Sequence, residues 1–334
     1  MPESPRTIDE WNRLLRPFGA PITGRSLLQL GLSLALLFGG LAGALTVDTV
    51  AGYWAALPLA AVSGLMLVRI FIIQHDCGHY SFFRQRWACD WVGRCLGVLT
   101  LTPYIWWKRD HDRHHASFGD LSRRGHGDIT TITVREYRML SFWGRLGYRL
   151  YRHPLVLFGI GPLYQFVVRQ RLPIGVYGRN RQAIRSVIGT NLAVAALFVA
   201  GGCLFGFGRL AALGAVVMAV AATVGVWMFF VQHQFERTYW ADHQRWSFVK
   251  AAIDGCSYYK LPRILEWLTG SIGYHHIHHL GARIPNYRLR ECFHAIPALQ
   301  NVATLTFRDS LRCSKLALWC EERQRLLSFR DALA

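Results

Sequence analysis

Residues 70–79 read IFIIQHDCGH, an apolar run that passes without interruption into two histidines, His75 and His79. On a helix turning about 100° per residue those imidazoles stand about 40° apart, one turn above the other, which makes them a chelating pair. Two further boxes repeat the theme: His111, His114 and His115 in HDRHH at 111–115, and His275, His278 and His279 in HHIHH at 275–279. Both follow H-x-x-H-H, whose members fall at about 0°, −60° and +40°, so three rings share one sector each time.

A histidine standing alone, such as His126, His153, His243 or His294, reads as an ordinary hydrogen-bonded residue. The boxes differ. Imidazole suits zinc, copper, iron and nickel, and the eight boxed nitrogens exceed what one tetrahedral or octahedral ion takes, so two metals sharing one site is the economical count. Cys77 falls about 160° from His79, away from the chelating face, and reads as a small packed residue. His276 lies about 100° from His275, outside the sector of its neighbours, and is not expected to ligate.

Working outward, the chain is 52% apolar, and the apolar content comes in blocks. Residues 26–47, 49–68, 186–208 and 210–232 carry no charge, and each run reaches the roughly 20 residues that a bilayer core requires. The short connections near Asp48 and Arg209 make two antiparallel hairpins. Arginine and lysine concentrate in residues 1–25, 84–185 and beyond His233, so the positive-inside rule puts both termini and every box in the cytoplasm, with the spans in a bacterial inner membrane.

The net charge of +18 would also suit a nucleic-acid partner. Four spans leave no compact basic module, however, and arginine beside spans answers anionic headgroups, so no nucleic acid is expected. The eight cysteines form no C-x-x-C, and most fall on the reducing side of this topology.

The expected fold is an all-α integral membrane protein: four transmembrane helices in two hairpins, interfacial or re-entrant helices, and a cytoplasmic helical cap carrying the boxes. It reads as one domain over 1–334. Residues 1–25 show no cleavable signal pattern, and Ile8, Trp11, Leu14, Leu15 and Phe18 recur at helical spacing, as in a helix lying in the headgroup layer. The first hairpin is 26–74, with Arg69 near its end reaching for headgroups. Residues 75–185 hold the first two boxes. Within them 88–107 is an interfacial stretch, 120–128 a loop able to lend carboxylates, and 154–168, interrupted by Gly159, Gly161 and Pro162, an in-plane or re-entrant segment. The second hairpin is 186–232. It ends in Gln232 and His233 as the second span ends in Gln74 and His75, which sets the two histidines at matching depth. Residues 233–334 form a helical cytoplasmic cap with the third box. No P-loop or dinucleotide fingerprint is present.

All-imidazole ligation beside lipid points to a redox metal acting on a greasy substrate, since a dimetal centre activating dioxygen can take hydrogen from an unactivated carbon when supplied with two electrons. At these residues the chain resembles the membrane fatty-acid desaturases of the bacterial acyl-lipid group. The likeness includes HDCGH at 75–79, LTPYIWW at 101–107, RRGHGDITTITVREYR at 123–138, VQHQFE at 231–236 and GYHHIHHLGARIPNYRL at 273–289. It departs at Asp120, Leu121 and Ser122, where the family commonly shows Asn-Leu-Asp.

The resemblance implies a non-haem di-iron enzyme that uses dioxygen and two electrons to leave a cis double bond in a membrane-associated acyl chain. Its iron ligands would be His75, His79, His111, His114, His115, His275, His278 and His279, with His233 a ninth. Glu236, Asp112 and Asp128 are expected behind the imidazoles, because a ligating ring usually donates its other N–H to a carboxylate or carbonyl. No cytochrome segment is fused, which implies a separate ferredoxin-like donor on the basic face. The alternatives are a lipid hydroxylase or carotenoid ketolase of the same superfamily and, more distantly, a membrane haem or metal-transport protein. Histidines gathered at one edge of nearly charge-free spans argue against the last.

Overall fold

The computed structural model describes residues 7–125, 127–175 and 177–334. His126 lies outside them. Helix α1 (Ile8–Leu15) starts at a Thr7–Glu10 capping box. Trp11 and Leu15 are buried in one cluster with Leu280 and Ile284, while Ile8 and Leu14 stay exposed. The N-terminal helix is therefore docked on the segment after the third box through one face, in place of lying wholly among headgroups.

Among the described residues four helices are long and apolar enough to cross a membrane: α2 (Thr23–Ala51), α3 (Tyr53–Gly78), and, later in the chain, Arg181–Phe205 and Phe207–His233. They form the two hairpins, but the turns lie at Gly52 (φ 87°) and Gly206 (φ 89°), a few residues from Asp48 and Arg209. Only glycine takes that backbone cheaply, so α2 runs on through Asp48 to reach Gly52, and the second hairpin turns at Gly206 before Arg209 is reached. Asp48 and Arg209 instead pair across the hairpins, Nε to Oδ2 at 3.0 Å, tying them at the end remote from the histidines. With Arg209 half exposed, that tie contributes less than about 1 kcal/mol.

Arg69 does not reach lipid. It is buried, donates to Ser33 Oγ (3.0 Å) and to the Trp267 carbonyl, and stacks on the Trp267 ring at 4.2 Å. The second-box approach divides into α4 (Arg86–Leu99) and α5 (Tyr104–Ser117), with Leu101 in a left-handed conformation between them (φ 53°). Gln74 secures that bend, accepting from Thr100 Oγ1 at 2.6 Å.

Strand β1 (Ile132–Thr133), α6 (Val134–Met139) and α7 (Phe142–Arg152) follow. Residues 156–168 then form wide π-helical turns about α8 (Gly161–Leu163). Thr223 Oγ1 donates to the Phe158 carbonyl at 2.8 Å. Ten residues along a helix is about 15 Å, so Phe158 packs on the helix Phe207–His233 that far along it from His233. The second hairpin is α9 (Arg181–Phe205) and α10 (Phe207–His233), and α11 (Phe248–Ile253), β2 (Tyr258–Tyr259) and α12 (Arg263–Leu268) lead to α13 (His275–Leu280), the third box.

The cap is not helical throughout. After α14 (Asn286–Ala295), β3 (Thr304–Leu305) and α15 (Phe307–Cys313), the chain forms a hairpin of β4 (Leu316–Cys320) and β5 (Arg325–Ser328) before α16 (Phe329–Leu333). Strand β1 joins β4 in parallel, Ile132 opposite Leu318, giving a three-stranded sheet; β2 and β3 form a second parallel pair. These short sheets fix the ends of the loops that reach the histidines.

Candidate metal centre

Four elements deliver imidazoles to one place. Helix α3 ends with His75 and His79, α5 carries His111, His114 and His115, α10 ends at His233, and α13 carries His275, His278 and His279. The rings separate into two groups. His75, His79, His111, His115 and His278 form one and His114, His233, His275 and His279 the other, the ligand atoms of each lying within 4.8 Å of one another. In both H-x-x-H-H boxes the i,i+4 pair stays together and the middle member crosses to the other group. Each box thus spans the two groups.

Within each group nitrogen faces nitrogen. His115 Nε2 stands 3.1 Å from His111 Nε2 and 3.0 Å from His278 Nε2; His233 Nε2 stands 3.1 Å from His114 Nε2 and 2.9 Å from His275 Nε2. His79 Nε2 and His279 Nε2 are buried without a partner. A neutral imidazole has one donor and one acceptor nitrogen, so rings converging on shared points call for a cation between them. Burial, reinforced by neighbouring imidazoles, pushes His79, His111, His115, His275, His278 and His279 well below the usual histidine range. They are held neutral, as metal ligands must be. An all-imidazole donor set of this kind could hold a first-row transition ion in each group.

Of the expected carboxylates, Asp128 meets the His114 Nδ1. The other two do not stand behind a ring. Asp112 is half exposed and takes Lys108 Nζ at 2.7 Å, one turn back on α5. Glu236 faces outward to Arg325 Nη1 at 2.9 Å, because the chain leaves α10 immediately after His233 and the three-residue step is no longer one helical turn. His233 Nδ1 instead faces the buried Cys256 Sγ at 3.7 Å.

Sequence reasoning missed Asp76. It is buried, its Oδ1 lies 3.4 Å from His75 Nδ1, and its Oδ2 accepts from both the backbone N (2.7 Å) and Nδ2 (2.9 Å) of Asn286. Gln29 Nε2 completes the network on Asn286 Oδ1 at 2.9 Å. The available signal was a carboxylate at the end of an apolar helix, which must find partners when buried. Asp120 likewise turns inward to His243 Nδ1 (2.7 Å) and the Ser122 N–H (2.9 Å), so the acid that stands where the family pattern has Asn secures the loop.

Backbone and aromatic contacts hold the frame. Gln232 Nε2 donates to the Ile272 carbonyl (2.9 Å) and Ser257 N to the Gln232 carbonyl (3.0 Å), fixing α13 against the end of α10. Arg152, buried, donates to Gln234 Oε1 (2.9 Å) and the Thr130 carbonyl (3.2 Å), joining the residue after His233 to the strand of chain that carries Asp128. Trp107 stacks on His111 (4.8 Å, 15°), and a Cβ at Gly78 would stand 3.0 Å from its ring. His276 turns away and binds the Leu299 carbonyl at 3.0 Å through Nε2.

A family model described as fatty acid desaturase matches residues 52–309. A fatty acid desaturase of Bacillus subtilis is 41% identical over 313 residues, 94% of this chain and 88% of the relative. Two proteins of Synechocystis are each 26% identical: an sn-1 oleoyl-lipid 12-desaturase, covering 71% of this chain and 67% of its own length, and an sn-1 acyl-lipid omega-3 desaturase (ferredoxin), covering 88% and 81%. Together with the imidazole groups at the ends of membrane-length helices, these matches establish that the chain belongs to the fatty acid desaturases, a family of membrane oxidoreductases.

Proposed function

We propose that this desaturase introduces a cis double bond into a membrane-associated acyl chain, with two irons held by its nine converging histidines. His75, His79, His111, His115 and His278 would hold one iron, and His114, His233, His275 and His279 the other. The observation that carries this is the division of those rings into two groups, five and four, the smaller buried throughout and the larger partly so. When bound, the iron pair supplies the oxidising chemistry: dioxygen, two electrons and two protons, with two hydrogens taken from adjacent carbons, leave a double bond and two waters.

The protein's part is position and shielding. Asp128 and Asp76 fix the far nitrogens of His114 and His75, so each group has one ring oriented by a carboxylate. Trp107, Phe118 and Phe229 pack on the rings, which limits water at the reacting carbon. The arginine-rich segments lie on the same side as the histidines, which supports a cytoplasmic site and cytoplasmic termini in a bacterial inner membrane. The relative named with ferredoxin supports a separate ferredoxin-like donor on that basic face. The whole chain, 1–334, acts as one domain.

Expression in a host lacking the activity, followed by mass spectrometry of its lipids and elemental analysis of the purified protein, tests this. Loss of two hydrogens from an acyl chain and about two irons per chain are expected. A gain of oxygen would make it a hydroxylase or ketolase, and a haem band or a single metal in a fully active preparation would overturn the di-iron assignment.

A further inference from the structure

Beside the histidine groups, a cleft of about 280 Å³ opens where α3 gives way to α4. Gly19 and Pro21 form one wall, and Tyr80 and Phe83, from the turn after the first box, form another. The remaining lining residues are three arginines, Arg84, Arg86 and Arg283. No aspartate or glutamate lines it among the described residues, and there none of the three arginines forms an ion pair. Asp90, on α4, is directed to the Tyr80 hydroxyl, and Arg86 lies over the Tyr80 ring at 5.3 Å. Tyr80 itself has φ 56°, the sharp turn that lets the chain leave the span and become the cleft wall.

With three arginines and no carboxylate among its lining residues the cleft is net positive, which favours an anion there. The guanidinium fork matches phosphate oxygens bidentately. No side chain caps the first N–H groups of α4, which begins at Arg86, so the helix end adds to the same field. The place is also informative: Arg84 follows His79 by five residues, at most about 18 Å of chain, and Arg283 follows His279 by four. We infer that this cleft binds the phosphate of the acyl carrier, holding the substrate's head while its chain extends to the histidine groups. This rests on the acyl substrate proposed above and adds the group by which that substrate is recognised. Phospholipid headgroups and the phosphates of a coenzyme A thioester share the chemistry.

The test is saturable binding to the iron-loaded, full-length protein in neutral detergent micelles, with dipalmitoylphosphatidylglycerol, palmitoyl-CoA and the phosphate-free dipalmitoylglycerol as probes. Arg84→Gln, Arg86→Gln and Arg283→Gln should each weaken phosphate-bearing probes about three- to tenfold, and the triple variant about a hundredfold. Dipalmitoylglycerol binding and iron content should stay at wild-type values. Triple replacement by lysine should recover part of the affinity, since charge returns without the fork. A loss confined to phosphatidylglycerol identifies the headgroup as the ligand, and one confined to palmitoyl-CoA identifies the thioester. Unchanged binding of both by a triple variant that keeps its iron overturns the cleft; should that variant fail to load iron, the three exposed single changes decide alone. Lipid profiling of the wild type reports separately on desaturation, so failure of that function and failure of this site are distinguishable.

Discussion

The two histidine groups are built by different means. The five-membered group takes two i,i+4 pairs, His75 with His79 and His111 with His115, and adds only His278 from elsewhere. Four of its rings are placed by helix geometry alone, so packing α3 against α5 nearly completes it. The four-membered group has one such pair, His275 with His279, and takes His114 and His233 singly from α5 and α10. It exists only when three separate elements dock. Its outer support is correspondingly long-range: Asp128 from a loop, Cys256 across from His233, and Arg152 joining Gln234 to Thr130. The five-membered group, which takes only His278 and the Asn286 partner of Asp76 from the cap, should therefore lose less when the cap is disturbed than the four-membered group, which takes His233, His275 and His279 from it.

The largest test of that contrast is His233→Ala. It removes the single ring from α10, leaving three imidazoles in the smaller group and five in the larger. Iron should fall from about two to about one per chain, with desaturation abolished and membrane insertion intact. Retention of both irons and activity would show that α10 contributes packing alone.

Next is Asp128→Ala, which frees His114 Nδ1 to turn. Loss of such an outer partner typically costs about 10–100-fold in metal affinity, and here it should fall on one iron of the two. Asp128→Asn keeps an acceptor in place and should recover part of it. Equal loss of both irons in a chelator titration would break the contrast, because it would mean that the groups load together.

How far the sequence foretold these differences follows from the range of the forces involved. The boxes and spans were legible because 3.6-residue periodicity and the length of an uncharged run are local properties. The division into five and four was not, since the same three-ring sector serves one group or two depending on how α3, α5, α10 and α13 cross. Glu236 was placed one turn from His233 on the assumption that the helix continued, and α10 stops at His233. The β4–β5 hairpin escaped notice because LALWC is buried at four successive positions, which erases the alternation that marks a half-exposed strand. Asp76 was concealed by its own box, whose histidines drew the attention.

A smaller effect is expected at His276, which the structure ties to the Leu299 carbonyl. His276→Gln keeps a donor of similar reach, so iron content should stay near two. Stability should drop by about 1 kcal/mol, the net worth of one buried hydrogen bond made less well. Thermal unfolding of the iron-loaded protein measures it. Loss of an iron would place His276 in the ligand set and return the third box to doubt.

The smallest effects should come from Glu236→Gln and Asp112→Asn. Both acids stand within a few residues of a ligand in sequence, and on spacing alone each was a candidate to orient one. Their side chains instead reach Arg325 and Lys108, in pairs exposed enough for solvent to screen. Each change should alter stability by less than about 1 kcal/mol, and neither should move iron content or product yield. Measured beside Asp128→Ala, the two variants separate proximity in sequence from contact in space. If Glu236→Gln were to cost an iron, the support of His233 would run through a carboxylate after all. The four-membered group would then have two rings braced by carboxylates, His114 by Asp128 and His233 by Glu236, against one in its neighbour, His75 by Asp76, and the difference in construction between the two would extend to their outer support.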